Sequence, residues 1–123
     1  MPGVAKFDPS EYLPLTPAMF DVLVALADGE KHGYAIIKEV HRRTEGKVRL
    51  SAGTLYALIK RFVQDGLIVE CDERPDPSLD DERRRYYRLS DNGRAVALAE
   101  AERMEEAIDQ ARAKLLARKP RPA

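Results

Sequence analysis

Apolar residues recur at helical spacing in four stretches of this chain and alternate with polar residues in shorter ones. From Thr16 to Gly29, Met19, Val22, Leu23 and Leu26 form one stripe, which predicts an amphipathic helix. Thr16 suits the N-cap, and Pro17 the first helical position, where a missing N–H costs nothing. Phe20 and Val24 lie off that stripe and imply a second apolar contact. A second helix is expected from Lys31-His32-Gly33-Tyr34 to about Thr44. Its core face is Ile36, Ile37 and Val40, and Lys38, His41, Arg42 and Arg43 lie on or near its other side. Glu45-Gly46 breaks it. Lys47-Val48-Arg49-Leu50 alternates and predicts a very short strand.

The third helix has both ends marked. Ser51 is a good N-cap, and Gly66 fits the left-handed position that closes helices. Between them Leu55, Leu58, Ile59 and Phe62 make a buried face. The opposite face carries Gly53, Tyr56, Ala57, Lys60 and Gln64, with Arg61 at its edge.

Ile68–Asp72 and Arg83–Leu89 read as strands joined by a loop from Arg74 to Glu82, which contains Pro75 and Pro77. Strand, loop and strand after a helix-turn-helix make a wing. Ser90 or Asp91 caps a last helix expected to reach about Arg118. Along it Ala97, Ala101, Met104, Ile108, Ala111 and Leu115 alternate four and three apart, a heptad seam of small and apolar residues. A helix of about 28 residues is roughly 40 Å long, more than a small three-helix body covers. Part of the seam is therefore expected to meet a second copy of the chain.

The expected fold is mainly α with a small β wing: a winged helix-turn-helix plus a long C-terminal dimerisation helix. The expected division is an irregular arm at 1–15, a winged-helix DNA-binding domain at 16–89, the dimerisation helix at 90–118 and a tail at 119–123. A chain of 123 residues fits one such domain with an appended helix.

Composition narrows the class. No apolar run is long enough for a membrane span, and the first residues lack the apolar core of a secretory signal. A soluble, cytoplasmic protein is expected. The single cysteine, Cys71, excludes an intrachain disulfide; with Glu70, Asp72 and Glu73 beside it, it reads as inert packing. His32 and His41 have no cysteine near and no metal-ligand spacing, so no metal or other cofactor is expected.

Formal net charge is zero, but the charge is blocked. Residues 31–61 hold eight Lys/Arg against Glu39 and Glu45, and residues 62–82 hold eight Asp/Glu against Arg74. Residues 83–88 then carry Arg83, Arg84, Arg85 and Arg88 with no acid. Such blocks can build a local basic surface on a neutral protein.

Together these features point to double-stranded DNA. A helix lying in a groove needs small residues for close approach, and amides and cations for base edges and phosphates. Gly53, Ala57, Lys60 and Gln64 are assigned to base edges. Ser51, Thr54, Tyr56, Arg61 and the wing arginines Arg83, Arg84 and Arg85 are assigned to phosphates, with capping as the other role open to Thr54. A winged helix that only bound protein would not need this basic face. Enzymatic chemistry finds no support: no acid is placed by motif to orient a histidine, and there is no glycine-rich phosphate loop.

The chain resembles the PadR-type transcriptional regulators. The resemblance is carried by His32-Gly33-Tyr34-x-Ile36, by Leu50-Ser51-x-Gly53-Thr54-Leu55-Tyr56-x-Leu58-Ile59, by Gly66-Leu67-Ile68 and by Arg85-x-Tyr87-x-Leu89-Ser90-x-x-Gly93. These segments follow the family's order and spacing over most of residues 16–93. The one departure is Leu89-Ser90, where the family usually has Leu-Thr. The resemblance implies a short-form member with one C-terminal dimerisation helix. It implies a bacterial repressor that binds a palindromic operator as a homodimer, and is released in many cases by a small aromatic or drug-like effector. It implies that the third helix enters the major groove, and that Tyr34 and Tyr56 contact phosphate or shape the groove-facing surface. No pocket for an effector is evident; Phe7, Tyr12, Phe20 and Met104 are the residues that could line one, and there is no tryptophan to stack on a planar drug.

Overall fold

Four helices and three strands follow one another in a computed structural model that describes residues 6–75 and 83–117. A 3-10 turn at Pro9–Tyr12 leads into α1 (Pro17–Ala25). The two-residue strand β1 (Lys31–His32) and helices α2 (Gly33–Arg43) and α3 (Ala52–Gln64) come next. Strands β2 (Ile68–Pro75) and β3 (Arg83–Leu89) precede the long α4 (Asp91–Leu116). This is the helix-turn-helix with a wing and a C-terminal helix that the sequence predicts. None of the helices among the described residues is long and apolar enough to cross a membrane.

One core joins all the helices. Val22, Leu23, Ala25 and Leu26 of the first helix and its end meet Ile36 and Val40 of α2, and Leu55, Ile59 and Phe62 of α3. Leu67, Ile68, Tyr87 and Val96 close it from the sheet and α4. A side chain of Leu, Ile or Phe size contributes roughly 1.5–3 kcal/mol when fully buried, so this cluster dominates the stability.

The helix ends are set by local chemistry. The Thr16 hydroxyl accepts from Met19 N at 3.2 Å, and the Ser51 hydroxyl from Thr54 N at 3.1 Å. Beyond α3, Gly66 N–H donates to Val63 O and Leu67 N–H to Phe62 O, with Gly66 at φ 74°. This six-residue closure needs the left-handed backbone that glycine takes without strain. It also aims the chain into β2. The Ser90 hydroxyl then accepts from Gly93 N at 3.0 Å and donates to Gly66 O at 2.6 Å, tying the start of α4 to the end of α3.

Several expectations are corrected. Lys47–Leu50 forms no strand; the third strand is Lys31–His32, pairing with Tyr87 and Tyr86 in the antiparallel order β1-β3-β2. The second helix accordingly begins at Gly33 rather than Lys31. Residues 6–15 are not irregular: Pro9–Tyr12 is a 3-10 turn, Phe7, Tyr12, Leu13 and Leu15 pack on the core, and Leu15 N donates to Glu100 Oε2 at 2.6 Å. The second strand runs to Pro75, past the expected Asp72. The final helix ends at Leu116. Residues 1–5, the loop interior 76–82 and residues 118–123, which include the expected helix end at Arg118 and the tail, lie outside the described residues.

Candidate nucleic-acid interface

The outer face of α3 is bare of the rest of the fold. Gly53, Tyr56, Ala57, Lys60, Arg61 and Gln64 are all exposed, as their helical spacing requires when Leu55, Ile59 and Phe62 are buried. Gly53 is informative. A methyl group there would meet no atom within 4 Å, and no left-handed backbone is present. Neither packing nor conformation inside the fold calls for a glycine at this place in the first turn of α3.

Ser51 and Thr54 share a cap. Besides accepting from Thr54 N, the Ser51 hydroxyl donates to Thr54 Oγ1 at 3.0 Å, so both hydroxyls sit at the amino end of α3. Free amides gather there, the end of a helix that favours anions.

Tyr56 leans from α3 onto the start of α2. A Cβ at Gly33 would lie 2.5 Å from its hydroxyl oxygen and 2.9 Å from Cζ, so the bare glycine is the seat of the phenol. At 48 % exposure the ring still presents an edge outward. The start of α2 is capped by His32, whose Nδ1 accepts from Ala35 N at 3.1 Å, and whose ring meets Tyr86 edge-on at 5.4 Å. That fixes the turn carrying Tyr34, itself 52 % exposed.

The wing sorts its arginines by face. One extra residue in β2 between Glu70 and Glu73 breaks the register: Glu70 faces Tyr87, but Glu73 faces Arg85. Without that bulge the two acids would point to opposite faces. With it, both reach one guanidinium: Arg85 Nη1 bonds Glu70 at 2.9 Å and Arg85 Nη2 bonds Glu73 at 3.2 Å. The hydrogen bonds to Glu70 and then Glu73 raise the Arg85 pKa further above its usual value. Arg85 thus braces the wing. Arg84, on the other face, lies over the Tyr34 ring with Cζ 5.7 Å from the centroid. Arg83 stands opposite Pro75 on β3, and its side chain lies outside the described part. Tyr87, between the sheet and α3, is buried, and that burial is the first cause of its raised pKa.

Of the sequence-assigned residues, Ser51, Gly53, Thr54, Tyr56, Ala57, Lys60, Arg61 and Gln64 are exposed on or beside α3 and Tyr34 at the start of α2, while Arg84 reaches Tyr34 from the wing and Arg85 is held on the wing's other face. Lys38, which the sequence places only on or near the outer side of the second helix, also lies by Tyr34, with its ammonium 5.4 Å from the ring centroid. Its spacing of four from Tyr34 was the available signal.

The family model of the Transcriptional regulator PadR-like family matches residues 22–99. The chain belongs to that family. Transcriptional regulator Rv3488 of Mycobacterium tuberculosis (strain ATCC 25618 / H37Rv) is 35% identical over 85 residues, 69% of this chain and 73% of that protein. Among solved structures, a PadR family transcription regulator from hypervirulent Clostridium difficile R20291 superposes with a TM-score of 0.59 at 25% identity, covering 80% of this chain and 98% of that one. Bacillus subtilis PadR in complex with operator DNA shares the fold, with a TM-score of 0.58 at 17% identity over 87% of this chain and 52% of that one. The protein is thus a PadR-family transcriptional regulator and not an enzyme. Among the described residues no group of three or more His, Cys, Asp or Glu could hold a metal ion.

The heptad seam of α4 in this PadR-family chain is divided by its own fold. Ala97, Ala101 and Met104 are half-buried, whereas Ile108, Ala111 and Leu115 are exposed, Leu115 at 80 %. Phe20 and Val24, off the main stripe of α1, line an open apolar groove of about 290 Å³ with Ala97, Leu98 and Ala101 of α4. Phe7 and Tyr12 are not in it; their rings pack on each other at 5.8 Å.

Proposed function

We propose that this protein is a DNA-binding repressor that grips a palindromic operator as a homodimer. In each subunit α3 lies in the major groove, with Gly53, Ala57, Lys60 and Gln64 toward base edges. Ser51, Thr54, Tyr34, Tyr56 and Arg61 meet phosphates, and Arg83 and Arg84 bring the wing to the flanking backbone. Arg85 contributes by holding the wing's shape, since a phosphate would first have to displace Glu70 and Glu73. The observation that carries this reading is the exposed face of α3, where a glycine without any role inside the fold marks the point of closest approach.

The homodimer reading is supported by α4. It is about 39 Å long at 1.5 Å per residue, and Ile108, Leu115 and Leu116 on its outer part are exposed large apolar residues. A partner's α4 covers them and fills the groove between α1 and α4. The joined helices hold two copies of α3 at a set spacing. A small aromatic effector wedged at that seam changes the spacing and favours a state unable to span both half-sites. The protein then acts in the bacterial cytoplasm, beside the chromosome.

The test is selection of bound fragments from the source genome followed by footprinting. Two inverted half-sites about one helical turn apart, or a multiple of it, are expected. Selection of no sequence, or of sites without dyad symmetry, overturns the reading.

A further inference from the structure

Glu100, on α4, is the one buried charged residue among those described. Its carboxylate accepts from Leu15 N at 2.6 Å and from Arg103 Nε. Stability alone does not call for it, because replacing a buried ion pair by apolar residues of similar volume is often neutral or stabilising. What a carboxylate has and an apolar side chain lacks is direction. It holds one backbone N–H in one place, immediately before Thr16, the N-cap of α1.

A second tether lies at the other end of α1. Arg94, earlier on α4, donates through Nη2 to Ala27 O at 2.9 Å, just past the last residue of α1, Ala25. From Arg94 to Glu100, α4 therefore passes from the end of α1 to its beginning, and the two helices run antiparallel, fastened at both ends. The open groove lined by Phe20, Val24, Ala97 and Leu98 lies along this stretch. Two fixed points set a line. Together they fix the direction of α4 and the width of the groove, where apolar contact alone would let the helix pivot.

The character of α4 changes soon after Glu100. Val96 is fully buried, and Ala101 and Met104 are half-buried, but from Glu105 to Leu116 every residue is exposed. At 1.5 Å per residue that free stretch is about 18 Å long, so a tilt of about 10° at Glu100 would carry its end about 3 Å sideways.

We propose that Glu100 and Arg94 are positioning residues for DNA recognition. By tying α4 to the two ends of α1, they fix the direction in which its free half leaves the winged helix, and so the separation of the two α3 helices in the dimer. This rests on the homodimer and DNA-binding reading above, and it deepens that reading by assigning the spacing to two bonds made within each subunit. Neither residue touches DNA in this scheme. Their loss leaves each winged helix able to read its own half-site and relaxes the rule for how far apart the half-sites must lie.

The test uses the full-length chain, a duplex selected from the source genome, and a copy of it with two base pairs inserted between the half-sites, which turns one half-site by roughly 70° about the duplex axis. Wild type is expected to bind the original spacing much more tightly. Arg94→Ala and Glu100→Leu should each lower the ratio of the two affinities toward unity. Glu100→Gln, which keeps an acceptor for Leu15 N, should retain most of it. Double electron–electron resonance on the free protein, spin-labelled at Val63→Cys in a Cys71→Ser background, should give one narrow inter-subunit distance in wild type and a broader distribution in Arg94→Ala and Glu100→Leu. Arg94 is exposed, so its truncation tests the idea even where Glu100→Leu fails to fold. Folded Arg94→Ala dimers that keep the wild-type ratio or the wild-type distance distribution overturn the proposal, since the bonds are then only structural. A wild-type protein that gives no inter-subunit distance sinks the homodimer reading, one that binds no duplex sinks the DNA-binding reading, and this inference falls with either.

Discussion

The phenol of Tyr56 rests on the bare Cα of Gly33, where a methyl group would come within 2.5 Å of its oxygen. One element of the helix-turn-helix thus seats a side chain of the next. Gly33→Ala should push the ring off α2, because the phenol end is free to swing into solvent, and press only lightly on buried Leu55, whose Cδ2 would lie 3.3 Å from the new methyl. Duplex affinity should fall by up to about tenfold, the equivalent of ~1.4 kcal/mol. In a Tyr56→Ala background the same change should be silent or slightly stabilising, given alanine's helix propensity. Equal effects in both backgrounds, read by binding and by urea denaturation, would show that the two residues are not coupled.

Gly93 offers a harder constraint. A Cβ there would lie inside van der Waals contact of the Leu67 carbonyl oxygen and 2.8 Å from Leu89 Cδ1. The carbonyl belongs to a buried turn that also accepts from Ser90 N, so it cannot retreat cheaply. Gly93→Ala should destabilise the fold by about 1–3 kcal/mol, as overpacking does, despite the better helix former. A raised denaturation midpoint would contradict this packing.

Ser90 makes two bonds, from Gly93 N and to Gly66 O. Ser90→Ala should cost about 1–2 kcal/mol, counting the lost cap. Ser90→Thr, the residue the family resemblance leads one to expect here, should retain most of it. If alanine and threonine give the same midpoint in chemical denaturation, the hydroxyl is not what joins α3 to α4.

Glu100 is 1 % exposed and accepts from Leu15 N and Arg103 Nε. The hydrogen bond from Arg103 is the main cause of its pKa lying below the usual 4.5. A carboxyl lowered on folding stabilises the native state above its unfolded pKa, and that contribution is lost as pH falls through the folded one. The stability advantage of wild type over Glu100→Gln should therefore be full near neutrality and shrink below about pH 4.5. Gln keeps an acceptor for Leu15 N, so the comparison isolates the charge. A difference that stays constant through acid pH would assign Glu100 a packing role only.

Local chemistry is what the sequence makes readable. Ser51 and Gly66 bracket α3 because a cap and a left-handed glycine act within a few residues of themselves, and α3's two faces follow from spacing alone. Strand β3 runs from Arg83 to Leu89 as its alternation predicts. What escaped needs distant partners. Lys31–His32 is too short to signal a strand and becomes one only by pairing with Tyr86 and Tyr87. Lys47–Leu50 alternates equally well and pairs with nothing among the described residues. Phe7 to Leu15 is held by α4, 85 residues from Leu15 at Glu100. The roles of the wing arginines depended on a bulge at Cys71–Asp72 that no local pattern announces.

We infer that the exposed face of α3 reads DNA. It is tested most directly by titrating a duplex selected from the source genome with wild type and Lys60→Ala at moderate salt, with circular dichroism confirming that both are folded. A folded variant whose affinity drops by about 1–3 kcal/mol, the worth of one good base contact, is expected. Undiminished affinity of the folded Lys60→Ala protein would contradict it.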